Sequence, residues 1–182
     1  MSLGSLGRLW RAWRCDRRGV AAVEFALTVP VLILACLGSY EAFQAASAYR
    51  KLSATTVQLA NVVSQFTTMS SSDVSTVMAA TSQIMAPFPT SNLSVVLTEI
   101  TTNASSQATV TWSQAYNGGT ALAVGASYTL PSSLRTASTS YMLVQTAYSW
   151  SPLVTGGPFG AINMTDQIYG LPRQSSSIPY TG

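Results

Sequence analysis

The order of hydropathy patterns along the chain predicts an α+β fold: a long N-terminal helix, a short second helix, then a small antiparallel β-sheet domain. Three observations carry this. Residues 20–40 are apolar apart from one charge. From residue 42 onward apolar residues return at intervals of three and four, and from residue 92 they alternate at intervals of two.

The first stretch, Val20 to Tyr40, holds 21 residues and a single charge, Glu24. As a helix rising about 1.5 Å per residue it is roughly 31 Å long, which matches a hydrocarbon core about 30 Å thick. Pro30 falls near its middle and removes a backbone donor, which predicts a local kink or weakened turn. After Glu41 the pattern becomes a stripe. Ala42, Ala45, Tyr49, Leu52, Thr56, Leu59, Val63 and Phe66 form the narrow seam of a helix with one buried side. One helix from about residue 20 to about residue 69 is therefore expected, with its seam packed on the protein's own sheet in preference to a partner helix.

The "SSSD" of residues 70–73 caps a second helix whose inner face carries Val74, Val77, Met78, Thr81, Ile84 and Met85, and "PFP" at 87–89 stops it. Residues 92–101 and 108–115 read as strands joined by the polar loop "TNASSQ", and "NGG" at 117–119 marks the next turn. Residues 139–150 make the strongest strand, with Met142, Val144, Tyr148 and Trp150 in alternation. A loop with Pro152, Gly156, Gly157 and Pro158 leads to a last short strand at 161–169, and the Ser/Pro-rich tail from Pro172 is expected on the surface. The organisation is thus 1–19 basic leader, 20–41 transmembrane helix, 42–90 amphipathic helical region and 91–182 sheet domain.

Charge sorts along the chain. Residues 1–19 hold Arg8, Arg11, Arg14, Arg17 and Arg18 against Asp16, whereas residues 20–182 carry a net −1. Basicity belongs to the leader, so nothing downstream forms a nucleic-acid surface. Arg14, Arg17 and Arg18, just before the apolar run, place the leader in the cytoplasm and send the remainder across the membrane. Leu3, Leu6, Trp10 and Trp13 recur at helical spacing, so the leader is either a short helix on an anionic membrane surface or a plain cationic segment. Cys15 and Cys36 fall in different phases on this topology and form no disulfide framework.

The chain has no histidine. Histidine triads, general-base histidines and most transition-metal sites are thereby excluded. Glu41, Asp73, Glu99 and Asp166 are scattered, with no spacing that suggests a carboxylate pair or a calcium loop, and no glycine-rich phosphate loop occurs. No catalytic, cofactor-binding or metal-binding residue is assigned, and no small-molecule substrate is evident.

Three routes for processing the N-terminus compete. Ala46-Ser47-Ala48 has the small-x-small form of a signal-peptidase site. Ile33-Leu34-Ala35-Cys36 loosely matches a lipobox, with a poorly fitting leucine two before the cysteine. The third is the stretch "RRGVAAVEF", residues 17–25: basic residues, a glycine, then Glu24 and Phe25 at the fifth and sixth positions beyond it.

This third pattern resembles the processing site of type IV prepilins. The wider run "RRGVAAVEFALTVPVLILACLGSYE", with Pro30, Gly38 and Glu41, is similar to the TadE-like pseudopilins of the tight-adherence (Tad) pilus system. The resemblance is specific over roughly residues 17–51 and architectural beyond. It implies a pilin-like fold, removal of residues 1–19 by a prepilin peptidase between Gly19 and Val20, and recognition and assembly through Glu24 and Phe25. It implies a minor pilin or pseudopilin in the bacterial inner membrane, single-pass with a periplasmic C-terminal domain, becoming pilus-associated on assembly. Its partners would be the inner membrane, the peptidase, other pilin subunits and the assembly machinery, with roles in pilus biogenesis and surface adhesion. The alternative is a membrane-anchored periplasmic binding or adhesion domain that never enters a fibre.

Overall fold

The computed structural model describes residues 18–153 and 160–182. Residues 1–17 of the leader, with Arg14, Arg17 and Cys15, lie outside the described residues, as does the Gly156–Pro158 part of the loop. The chain divides into two compact units, Met1–Ala42 and Phe43–Gly182.

Helix α1 runs unbroken over Arg18–Val63, with Pro30 inside it. It stops some six residues before the expected end, because the chain turns at 64–69 and Met69 pairs with the C-terminal segment. Within the second unit its buried residues are Ala48, Leu52, Thr55, Thr56, Leu59, Ala60 and Val63. The expected seam is therefore rotated at its start: Tyr49 is 49% exposed while Ala48 is fully buried. Small and hydroxyl residues let the sheet approach closely, and the Thr56 and Thr146 hydroxyls meet at 2.6 Å. Phe66 packs on the core from the turn rather than from the helix.

Helix α2, Ser71–Met85, begins at the expected cap. The Ser70 hydroxyl accepts from the Asp73 backbone N–H, and the Asp73 carboxylate accepts from the Ser70 N–H at 2.9 Å. This reciprocal box satisfies two donors that a helix start leaves orphaned. Val77, Met78, Thr81 and Met85 are buried, and Ala86 ends the helix before Pro87.

Five strands follow: β1 (Leu93–Thr102), β2 (Ala108–Tyr116), β3 (Ser127–Tyr128), β4 (Ser140–Trp150) and β5 (Ile162–Gly170). They form one antiparallel sheet in the order β3-β2-β1-β4-β5. The β1–β2 turn is built on Asn103, whose Oδ1 accepts from the N–H groups of Ser105 and Gln107. After β2, Asn117 takes φ 50° and Gly118 φ 80°. Gly119 is required by space, since a Cβ there would lie 2.9 Å from Val96 Cγ2 and 3.1 Å from the Val95 oxygen.

A bulge in β2 decides which side its tryptophan faces. Val110 pairs with Ile100 and Trp112 with Glu99, leaving Thr111 as the extra residue. Plain alternation would put Val110 and Trp112 on one face. The bulge instead sends Trp112 to the helix face, into the core of Leu52, Leu59, Leu97, Met142 and Val144. The opposite face carries a smaller core of Ile100, Ala108, Leu130, Tyr141 and Leu143. Tyr128 and Tyr169, from the two edge strands, close it with hydroxyls 3.0 Å apart, so the sheet curls over this face. Burial and Tyr128 together push the Tyr169 hydroxyl well above the usual tyrosine range.

The C-terminal tail departs from its expected surface course. Ile178 is fully buried, its N–H donates to Glu99 Oε1 at 2.7 Å, and its carbonyl accepts from Trp112 Nε1 at 2.7 Å. Met69 N–H donates to the Pro179 carbonyl, and Thr181 N–H to the Met69 carbonyl. The tail works as an added strand fragment, because Ile178 and Tyr180 supply apolar side chains that its Ser/Pro-rich composition conceals.

Candidate processing and assembly segment

Gly19 is the second residue of α1 and is exposed, and a Cβ placed on it would meet nothing within 4 Å. Among the described residues nothing therefore demands glycine there.

Val20, Val23, Phe25 and Leu27 follow with more than half of each side chain exposed, Phe25 at 70%. The four consecutive residues Val31, Leu32, Ile33 and Leu34 are 53–64% exposed. Four successive helical positions sweep the whole circumference, so the segment is apolar on every side, the mark of a helix made for lipid or for other helices. Its most apolar 18-residue window has a mean hydropathy of 2.4 and is not buried at all. This helix is long and apolar enough to cross a membrane.

Two of its hydroxyls are satisfied within the helix. The Thr28 hydroxyl donates to the Glu24 carbonyl at 2.7 Å, and the Ser39 hydroxyl to the Ala35 carbonyl at 2.7 Å. Glu24 differs: its side chain is exposed one turn after Val20, and no partner for the carboxylate exists among the described residues. Arg18 opens the helix. Glu41, at the far end of the segment, is buried.

Beyond it, the outer side of α1 keeps an open recess of about 510 Å³ between Tyr49, Arg50, Ser53, Ala54, Val57 and Gln58. The Arg50 guanidinium lies 5.9 Å from the centre of the Phe43 ring, a cation–π arrangement. On the sheet, a second open recess of about 710 Å³ is lined by Ser94, Thr120, Gln145, Thr165 and Gln167 among others. Among the described residues no group of three His, Cys, Asp or Glu side chains is placed to hold a metal ion.

Glu99 is a polar site that sequence reading passed over as one of several scattered acids. It is 1% exposed, accepts from the Ser140 hydroxyl and the Ile178 N–H, both at 2.7 Å, and leaves Oε2 without a hydrogen bond among the described residues. The available signal was its place in β1, where Val95, Leu97 and Glu99 share a face by period two.

No curated protein and no solved structure matches the chain. Residues 19–65, which begin at Gly19 and take in Glu24, Phe25, Pro30 and the amphipathic half of α1 to its end at Val63, match the family described as TadE-like protein.

Proposed function

We propose that the chain is a pilin-like structural subunit of a Tad-type pilus system, cut after Gly19 and assembled through the helix that then begins at Val20. The observation that carries this reading is Glu24, an exposed carboxylate one turn beyond that bond in a helix apolar on all sides. A charge at membrane depth costs on the order of 3 kcal/mol on insertion scales and is normally paired. Hydrolysis of the Gly19–Val20 amide leaves a carboxylate on the leader and a new amine on Val20. An amine of this kind carries a positive charge when it pairs with a carboxylate. Paired with Glu24 of a neighbouring subunit, it offsets both desolvation costs and sets the axial register between subunits. The family match over residues 19–65 and a glycine that nothing among the described residues demands support the same reading.

The residues act as follows. Arg14, Arg17 and Arg18 hold the leader on the cytoplasmic side, and Gly19 gives a peptidase an unobstructed bond. Phe25 and the other exposed apolar residues pack against neighbouring helices. The sheet domain then faces the periplasm or the fibre surface, with roles in pilus biogenesis and adhesion. A membrane-anchored binding domain outside any fibre is the second reading, favoured by the 710 Å³ recess on the sheet.

The test is Glu24→Ala in the full chain, with a photo-crosslinker at Leu27. The variant should insert and be cut at wild-type levels, yet lose its crosslinks to other pilin subunits. Crosslinking and co-purification with the pilus machinery at wild-type levels would contradict the assembly role.

A further inference from the structure

Strand β5 ends the sheet on one side and pairs only with β4. In an antiparallel ladder the backbone groups of alternate residues point to the neighbour and away from it. The Gln167 N–H donates to the Asp166 carboxylate at 2.9 Å. Gln167 is therefore one of the outward residues, together with Asn163, Thr165 and Tyr169. Among the described residues no backbone bond outside the sheet reaches these four. An open edge nine residues long is a template for another strand.

Asp166 is the only charged residue in β5. It stands at the midpoint of Ile162–Gly170, in the row of Met164 and Ile168, which pack on the main core. A second copy laid antiparallel along this edge, about a two-fold through residue 166, uses the whole strand. That register sets Met164 against Ile168 and Asp166 against Asp166. Every other two-fold register shortens the overlap and sets the carboxylate against Ile162, Met164, Ile168 or Gly170. None of these offers it a side-chain partner.

We propose that Asp166 closes the β5 edge to a second copy of this chain, through like-charge repulsion in the one full-length register. The edge thus rejects its own copy, which is specificity by exclusion. Two carboxylates opposed across such a pair weaken pairing on the order of tenfold or more.

The experiment uses the full chain in detergent micelles with Cys15→Ser and Cys36→Ser. One preparation carries Thr165→Cys and the other Gln167→Cys; the two are mixed and oxidised, and disulfide-linked pairs are counted by mass. The full-length register brings 165 of one copy beside 167 of the other. With Asp166 in both, mixed pairs should be rare. With Asp166→Asn in both, they should rise about tenfold. With Asp166→Lys in both they should stay rare, and with Asp166 facing Asp166→Lys they should rise most. Helix association in the micelle is common to all arms and cancels. Equal trapping in all arms would overturn the proposal. So would a rise with Asp166→Lys in both copies, since loss of the Gln167 bond and not charge would then explain it. Near-ultraviolet circular dichroism on each variant verifies that the domain is folded, so that a low yield reports pairing.

Discussion

Residues 18–42 and 43–63 belong to one helix, yet the first part is apolar all round and exposed, and the second is apolar on one side and buried on it. What differs is arrangement more than hydrophobicity. Val31, Leu32, Ile33 and Leu34 leave no polar side. Beyond Phe43, Ala48, Leu52, Thr55, Thr56 and Leu59 line one face, and Arg50, Lys51 and Gln58 lie outside that buried set. Hydroxyls are handled differently too. Thr28 and Ser39 bond back to their own helix, while Thr56 also reaches across to Thr146. Among the described residues the second part is buried on the chain's own sheet, whereas the large apolar side chains of the first part are exposed.

The largest effect should come from the leading end. Gly19→Leu should abolish cleavage, leaving full-length chain on mass analysis, with the sheet domain unfolding at its usual denaturant concentration. Normal maturation of this variant would remove Gly19 from the processing assignment. The same truncation in the two parts of the helix should separate next. Leu52→Ala should destabilise the domain by about 2–5 kcal/mol, because Leu52 is fully buried. Leu34→Ala, at an exposed site, should stay within about 0.5 kcal/mol. Equal losses in denaturant unfolding followed by tryptophan fluorescence would erase the contrast.

Smaller effects test how the second part's surroundings are held. Trp112→Phe leaves the Ile178 carbonyl without its donor, and should cost about 1–3 kcal/mol and speed proteolysis of the tail. Ser70→Ala removes the α2 cap and should cost about 1 kcal/mol at neutral pH. Hydrogen bonds from the Ser70 side chain and backbone hold the Asp73 carboxyl below its ordinary value of 3.8. A depressed acid contributes above its unfolded value and loses that contribution as pH falls through its folded value. The gap between wild type and Ser70→Ala should therefore be full at neutral pH and narrow once the pH drops below about 3.8.

Much of the architecture was legible because its signals are local. The capping residues Ser70 and Asp73, the period-two strands and the turn residue Asn103 act within a few positions of themselves. The misses are long-range. The bulge at Thr111 turns Trp112 over, and alternation alone puts that side chain on the wrong face. Ile178 is drawn into the core by Glu99 and Trp112, far away in sequence. The early end of α1 follows from the pairing of Met69 with the tail, which no helical propensity encodes. The proposed processing motif stands apart from these signals, because Gly19, Glu24 and Phe25 are exposed within the described fold.

The central claim, that the leader is removed so that α1 can begin at Val20, is tested most directly by the intact mass of the mature protein from its native membrane. A mass corresponding to residues 20–182, with or without a small modification of the new amine, is the expected result. A full-length chain, or one beginning at Tyr49, would contradict it.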